Sequence, residues 1–83
     1  MLKAIEVNLK NLDIIAETIK RPRRDVNSFY ETNTYIGVTQ YFVIGLDGET
    51  LTETRVVSKD LFQEDYMFVT AEDNTKFIEV IKI

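Results

Sequence analysis

Nucleophilic catalysis of the serine–histidine type or by cysteine is excluded for this chain, because it contains neither histidine nor cysteine. Without histidine there is no imidazole base for a serine nucleophile, and without either residue a structural zinc site lacks its usual ligands. Its three glycines, at positions 37, 45 and 48, do not have the spacing of a phosphate-binding loop. Carboxylates, arginines and tyrosines remain as the candidate functional side chains.

Two acidic segments, Glu64-Asp65 and Glu72-Asp73, are spaced so that they could flank the two ends of one strand. Paired carboxylates could act on a glycosidic bond, and an oxygen-rich cluster could hold calcium or magnesium. The Asp-x-Asp-x-Asp-Gly pattern of calcium loops is missing, however, and acidic residues are common at a solvated turn. We therefore predict no metal and no cofactor, and we interpret Glu64, Asp65, Glu72 and Asp73 as an acidic surface.

One basic segment, Lys20-Arg21-Pro22-Arg23-Arg24, contains four cations, and two interpretations of it remain open. Arg21, Arg23 and Arg24, with Phe29 and Tyr30 nearby, could contact an acidic patch of a partner or the phosphates of a nucleic acid. Alternatively, the cations could complement the carbonyl end of a preceding helix. A histidine-free RNase could use the same arginines and Tyr30, but such enzymes are usually strongly basic, whereas this chain has a net charge of −4.

The charge is distributed unevenly along the chain. Residues 1–24 carry six basic and three acidic side chains, a net charge of +3, whereas residues 25–83 carry four basic and eleven acidic side chains, a net charge of −7. An acidic body repels nucleic acid and favours a protein partner with a basic surface. Net negative charge also keeps a small protein in solution without any partner, so both explanations stay open.

The elements that must position these side chains follow from the hydrophobic pattern. Residues 2–7 predict a first strand, and Asn8 is suited to cap a helix over residues 9–20. The apolar residues of this helix recur with helical spacing and form one stripe: Leu9, Leu12, Ile15, Ala16 and Ile19. Pro22 cannot continue the helix, and the polar composition of residues 20–34 predicts a loop.

Four more strands are predicted after the loop. Residues 35–46 are rich in β-branched and aromatic side chains, and Asp47-Gly48 predicts a tight turn into a strand over residues 50–57. Ser58 could cap a short helical turn, and residues 66–71 and 76–83 predict a second hairpin. The fold class is therefore α+β, with one N-terminal helix packed on a mostly antiparallel five-stranded sheet, in the order β-α-β-β-β-β and in a single domain of residues 1–83.

Both chain ends resemble small phage-encoded α+β accessory proteins. Lys3-Ala4-Ile5 and the following Asn11-Leu12-Asp13-Ile14-Ile15 are similar to their opening. Glu64-Asp65-Tyr66-Met67-Phe68-Val69 and Lys76-Phe77-Ile78-Glu79-Val80 are similar to the strand and terminal hairpin of their later part. Glu64 stands where those proteins tend to have glycine, and residues 20–60 are unmatched. The resemblance implies a small accessory protein that modulates a host or defence enzyme.

These observations lead to one main hypothesis and two alternatives. The main hypothesis is a non-enzymatic protein-binding module, namely a phage-encoded inhibitor or modulator that covers a site on a host protein. The first alternative is a module that self-associates through the apolar strand of residues 77–83, and the second is a small-ligand or weakly catalytic domain in which Tyr35, Tyr41 and Tyr66 line a pocket. Because no apolar stretch has the length of a signal peptide or a membrane span, we expect a cytoplasmic protein without a membrane partner, in the host cytoplasm if it is viral.

Overall fold

The computed structural model describes residues 1–83 as one five-stranded antiparallel sheet with three helices. Its elements are β1 (Leu2–Glu6), α1 (Leu12–Ile19), α2 (Arg23–Ile36), β2 (Gln40–Asp47), β3 (Thr50–Ser58), α3 (Lys59–Asp65), β4 (Tyr66–Phe68) and β5 (Ile78–Lys82). The strands lie side by side in the order β3-β2-β1-β5-β4. The predicted α+β class and the antiparallel five-stranded sheet are confirmed, but the order along the chain is β-α-α-β-β-α-β-β, and the protein has more than one helix.

The two faces of the sheet carry separate hydrophobic cores, because successive side chains of a strand point to opposite sides. On one side, here called the helix face, Ile5, Phe42 and Ile44 pack against buried side chains of α1 and α2. On the other side, here called the aromatic face, Tyr41 and Val43 pack with residues of β4 and α3. The sequence predicted one helix packed on the sheet, whereas the structure covers both sides of residues 41–44.

α1 is shorter than predicted because Asn8 stabilises a turn and does not cap the helix. The Asn8 Oδ1 accepts a hydrogen bond from the Lys10 backbone amide at 3.0 Å, and the helix begins later, after Asn11. Asn11 is buried, and its Nδ2 donates to the backbone carbonyls of Glu6 at 2.9 Å and Asn74 at 2.6 Å. This side chain therefore fastens the turn before β5 to the end of β1.

The prediction of a loop over residues 20–34 is wrong, because α2 occupies most of that segment. Val26, Phe29, Tyr30 and Asn33 recur at the i, i+3, i+4 and i+7 spacing of one helix face, and that face packs onto the core. Pro22 stands just before the helix, where its missing N–H is not needed, and its carbonyl accepts from the Asp25 amide at 3.0 Å. The proline that ends α1 thus also begins α2.

β2 begins at Gln40, and not at Tyr35 as predicted, because the residues up to Ile36 continue α2. Gly37 ends that helix with a φ of 69°, in the left-handed region that glycine adopts without steric cost. From Gln40 onward the prediction holds. The predicted tight turn is present but lies one residue later, at Gly48 and Glu49, since Asp47 still belongs to β2 and pairs with Thr50. Gly48 has a φ of 62°.

The predicted C-terminal hairpin is confirmed, although its strands are shorter than the predicted 66–71 and 76–83. A helix follows Ser58 as expected and extends to Asp65, but the Ser58 side chain makes no capping hydrogen bond. β5 lies inside the sheet, since Val80 pairs with Leu2 of β1 on one side and with Phe68 of β4 on the other. The strand predicted over residues 77–83 therefore has no free edge on which to pair with its own copy. The free edges of the sheet belong to β3 and β4.

Candidate protein-binding surface

The basic cluster predicted at residues 21–24 lies at the corner between α1 and α2, and acidic neighbours neutralise much of it. The Arg21 Nη2 lies 3.2 Å from the Asp25 Oδ2, and the Arg23 Nη1 donates to the Asp13 Oδ1 at 2.9 Å. Arg24 is exposed and has no carboxylate within ion-pairing distance. The structure brings the three arginines together, but only Arg24 is unpaired.

Phe29 and Tyr30 are half-buried, and both pack against the core of the helix face. The Phe29 ring meets the Phe42 ring edge to face, with 5.3 Å between their centroids. These two rings therefore attach α2 to the sheet, and they do not extend the arginine cluster into one exposed surface.

Glu64 and Asp65, two of the four predicted acidic residues, form the end of α3 directly before β4. Glu64 is exposed and Asp65 is partly exposed. The Asp65 backbone carbonyl accepts from the Ile83 amide at 2.8 Å, which holds this end of α3 beside the last residues of the hairpin. Both carboxylates thus lie at one end of the β4 edge.

Glu72 and Asp73, the other two acidic residues, have partners within the chain. The Tyr41 hydroxyl donates to the Glu72 Oε2 at 2.9 Å, and burial, this hydrogen bond and the negative charge of Glu72 raise the pKa of Tyr41 above its usual value. Asp73 accepts from the hydroxyl and the amide of Thr75, and these hydrogen bonds lower the pKa of Asp73. Both carboxylates therefore stabilise the connection between β4 and β5.

The three tyrosines proposed to line one pocket do not meet. Tyr35 is 91% exposed on α2, whereas Tyr41 and Tyr66 are buried in the aromatic face. The Phe62 ring of α3 stacks on Tyr41 with centroids 4.2 Å apart and on Tyr66 with centroids 5.4 Å apart. The aromatic side chains of this face fill a core and leave no pocket between them.

An exposed apolar surface on the β4–β5 hairpin was not identified from the sequence. Met67, Val69, Ile81 and Ile83 are 53%, 50%, 49% and 73% exposed. Met67 is the direct cross-strand partner of Ile81, and the Val69 amide donates to the Glu79 carbonyl at 3.0 Å. These four side chains, here called the hairpin patch, therefore adjoin one another on the helix face of the sheet.

The helices do not cover the hairpin patch, because α1 and α2 pack over β1, β2 and β3. Lys3 and Glu79, paired across β1 and β5, project on the same face beside it. Single exposed apolar side chains are normal on protein surfaces, whereas large contiguous groups of them are typical of interaction sites. The alternating apolar residues of 67–69 and 81–83 were visible in the sequence, but the uncovered side of the sheet was not.

The outer edge of β4 adjoins the hairpin patch and carries free backbone groups. In an antiparallel ladder alternate residues exchange backbone hydrogen bonds with the partner strand, and here the backbone groups of Asp65 and Val69 point toward β5. The backbone N–H and C=O groups of Tyr66 and Phe68 therefore point away from β5, while their side chains lie in the aromatic face. The Tyr66 amide donates to the Phe62 carbonyl at the end of α3, which leaves the Tyr66 carbonyl and both backbone groups of Phe68 without a backbone partner.

The structure places no three histidine, cysteine, aspartate or glutamate side chains close enough together to hold a metal ion. None of its helices combines the length and the apolar character required to cross a membrane. Protein-family models, curated proteins and solved structures were compared with the chain, and none of them matches.

Proposed function

We propose that this chain is a non-enzymatic protein-binding module, and that the β4 edge and the hairpin patch together accept an extended segment of a partner protein. The observation that carries the proposal is that the free backbone edge of β4 and the hairpin patch lie on the same strand. Added strands gain affinity from main-chain hydrogen bonds, such as those that Phe68 can make, and specificity from alternate side chains. Met67 and Val69 offer apolar contacts at that alternation.

A basic partner fits this surface better than a second copy of the chain does. Glu64 and Asp65 lie at one end of the β4 edge, and residues 25–83 carry a net charge of −7. Glu79 stands opposite Lys3 on the neighbouring strand, so this pair adds no net charge. Opposite charge accelerates encounter and orients the partner. Two copies would each bring a net charge of −4 and would share only the three residues of β4 along the edge.

The biological setting that we propose is a phage-encoded accessory protein, acting in the host cytoplasm as an inhibitor or modulator of a host protein. Support for it comes from the small acidic chain, the resemblance of both chain ends to such proteins, and a surface suited to binding. Covering a site on a partner requires complementary shape and charge and no reactive side chain.

The proposal is tested by comparing matched surface variants in a capture experiment from host lysate. Met67→Glu and Ile81→Glu are expected to reduce recovery of one dominant, salt-sensitive partner by at least tenfold, because each places a charge within the apolar contact. Leu61→Glu, at a residue 53% exposed on α3, and Arg24→Glu are the controls and should retain the partner. Circular dichroism would verify that all four variants fold.

A second measurement tests strand addition itself. In the complex with the captured partner, hydrogen exchange at the Phe68 amide should slow by at least tenfold relative to the free protein. Loss of the partner only in Arg24→Glu would assign binding to the basic cluster instead. A concentration-dependent dimer that Met67→Glu abolishes would show that the hairpin patch binds a second copy, and the proposal of a foreign partner would then be wrong.

A further inference from the structure

The longer free edge of the sheet belongs to β3, which runs from Thr50 to Ser58. The Lys59 amide donates to the Thr39 carbonyl, in register with the ladder between β2 and β3. Because backbone bonding alternates along an antiparallel strand, the N–H and C=O groups of Thr54 and Val56 point away from β2. Thr54 is exposed and Val56 is partly exposed. This edge therefore offers free main-chain donors and acceptors to another strand.

Four charged residues lie along the β3 edge with their signs separated. Glu49 and Glu53 lie toward its first end, and Arg55 and Lys59 lie toward its last end, so residues 49–59 carry no net charge. All four side chains are exposed, and none of them forms an ion pair within the chain. A strand with opposite signs at its two ends complements an identical strand that runs antiparallel and repels one that runs parallel.

The charge pattern is centred on Thr54. Glu53 and Arg55 stand one residue before and after it, and Glu49 and Lys59 stand five residues before and after it. In an antiparallel pair of β3 strands with a two-fold axis at Thr54, Glu53 of each copy therefore stands opposite Arg55 of the other, and Glu49 lies near Lys59. An axis one position further along would instead place two Arg55 side chains opposite each other.

Glu53 and Arg55 share one face of the sheet and remain available for such pairs. A Cβ at Gly45 would lie 2.8 Å from the Glu53 Cγ, so Glu53 projects over Gly45 on the aromatic face. Arg55 projects on the same face, where its Nη1 donates to the Tyr66 hydroxyl at 2.6 Å. A guanidinium has five N–H donors, so this hydrogen bond leaves donors for a carboxylate.

We propose that the β3 edge pairs with the β3 edge of a second copy of this chain, antiparallel and about a two-fold axis at Thr54. The two five-stranded sheets then form one continuous sheet. Charged side chains on a free edge discourage the addition of other strands, whereas this arrangement of signs accommodates an identical one. The hairpin patch lies at the opposite edge of the sheet, so the dimer presents two partner-binding surfaces.

The first test is sedimentation velocity of the full chain over a concentration series. The contact involves one strand edge and belongs to the weak class, so the series extends to about 1 mM. We expect a monomer–dimer equilibrium whose Kd rises at least about threefold between about 50 mM and about 500 mM salt, because salt screens exposed ion pairs. Hydrogen exchange at the Thr54 amide should slow as the dimer forms. A strict monomer at about 1 mM in low salt would overturn the proposal.

Three variants test the register. Glu53→Arg should weaken the dimer by at least about tenfold, since it sets like charges opposite each other, and the double variant Glu53→Arg/Arg55→Glu should restore it by exchanging the two signs. Thr54→Pro keeps every charge but removes the central donor, so it should abolish the dimer. Because that N–H points outward, the fold should tolerate the proline. Circular dichroism would verify folding, and the two single variants remain decisive if loss of the Arg55–Tyr66 bond unfolds the double variant.

Met67→Glu separates this dimer from the proposed binding of a foreign partner. The variant should leave the dimer intact, and Thr54→Pro should still capture the partner from lysate. Loss of the dimer in Met67→Glu would assign self-association to the hairpin patch, and an unchanged Kd in Glu53→Arg would exclude the paired charges. Either result would overturn the inference about β3, and the second would leave the proposed partner-binding function standing.

Discussion

Replacement of Phe62 by alanine tests whether the short helix α3 holds the aromatic face together. The Phe62 ring is 3% exposed and lies among three other rings. It stacks on Tyr41 at 4.2 Å with 3° between the planes, and its centroid lies 5.4 Å from that of Tyr66 and 5.5 Å from that of Phe68. No other side chain of α3 is buried, so Phe62 is the main attachment of the helix.

The expected loss of stability is large for so small a protein. Truncating a buried phenylalanine to alanine costs about 3–5 kcal/mol, whereas a domain of this length has a total stability of roughly 4–12 kcal/mol. Phe62→Ala should therefore lower the melting temperature by at least about 12 °C. Phe62→Leu keeps most of the volume and loses mainly the ring contacts, so a loss of about 1–2 kcal/mol is expected.

Urea unfolding followed by circular dichroism measures both variants, and Leu61→Ala is the matched control. Leu61 precedes Phe62 on the same helix but is 53% exposed, so its truncation should change the free energy of unfolding by only about 0.5 kcal/mol. An equal effect of Phe62→Ala and Leu61→Ala would refute the reasoning, because the second core would then contribute little and α3 would not position β4.

Three further predictions concern single contacts. Asn11→Ala should lower the free energy of unfolding, measured in urea, by about 2–3 kcal/mol, because two backbone carbonyls lose their donor. A loss below about 0.5 kcal/mol would contradict the anchoring of the turn by Asn11. Gly37→Ala should cost about 1 kcal/mol, because its φ of 69° disfavours a side chain even though a Cβ there meets no atom within 4 Å, and Gly37→Asn should cost less. Because the pKa of Tyr41 is raised in the folded state, the stability that it contributes is complete below the unfolded value of about 10 and is lost as the pH rises toward the folded value. The free energy of unfolding, measured as a function of pH above 10, should decline by at most about 1.4 kcal/mol per pH unit. The decline should be smaller in Tyr41→Phe. An unchanged decline in that variant would show that Tyr41 is not its cause.

The sequence predicted the strands well where the local signal and the tertiary environment agree. β1, the Asp47-Gly48 turn and the C-terminal hairpin all combine strand-forming side chains with turn residues. The start of β2 was misplaced because Tyr35 and Ile36 favour strands by composition, while in the structure they complete α2 before Gly37 ends it.

α2 was missed because its composition is polar and its first residues surround a proline. Only Val26 and Asn33 are buried in it, so the helical period depends on few side chains. Pro22 was interpreted as the end of one helix, although proline is equally suited to stand before the next. The i, i+3, i+4 and i+7 spacing of residues 26, 29, 30 and 33 was the available signal.

The candidate surfaces depend on information that a local pattern does not contain. Ile81 is as apolar as Val80, but Val80 is buried in the core of the aromatic face, whereas Ile81 lies on the helix face at a position that α1 and α2 do not cover. The buried amide of Asn33 likewise reaches the Val7 carbonyl only because α2 passes beside Val7. The partner of Glu72 is also set by the course of the chain after β4, whereas Asp73 bonds to Thr75 only two residues away.

The pairing of β1 with β5 has a consequence for the order in which the molecule can be made. During synthesis β1, β2 and β3 emerge before β5 and can assemble as a three-stranded meander with the two helices, but the second edge of β1 remains unpaired until β5 has been translated. Closing this contact joins residues nearly a whole chain length apart, such as Leu2 and Val80, and contacts of high sequence separation form slowly. A nascent chain stalled before residue 78 would therefore leave Leu2, Lys3 and Ala4 open to pairing with other chains, and chaperone binding should be strongest at that stage.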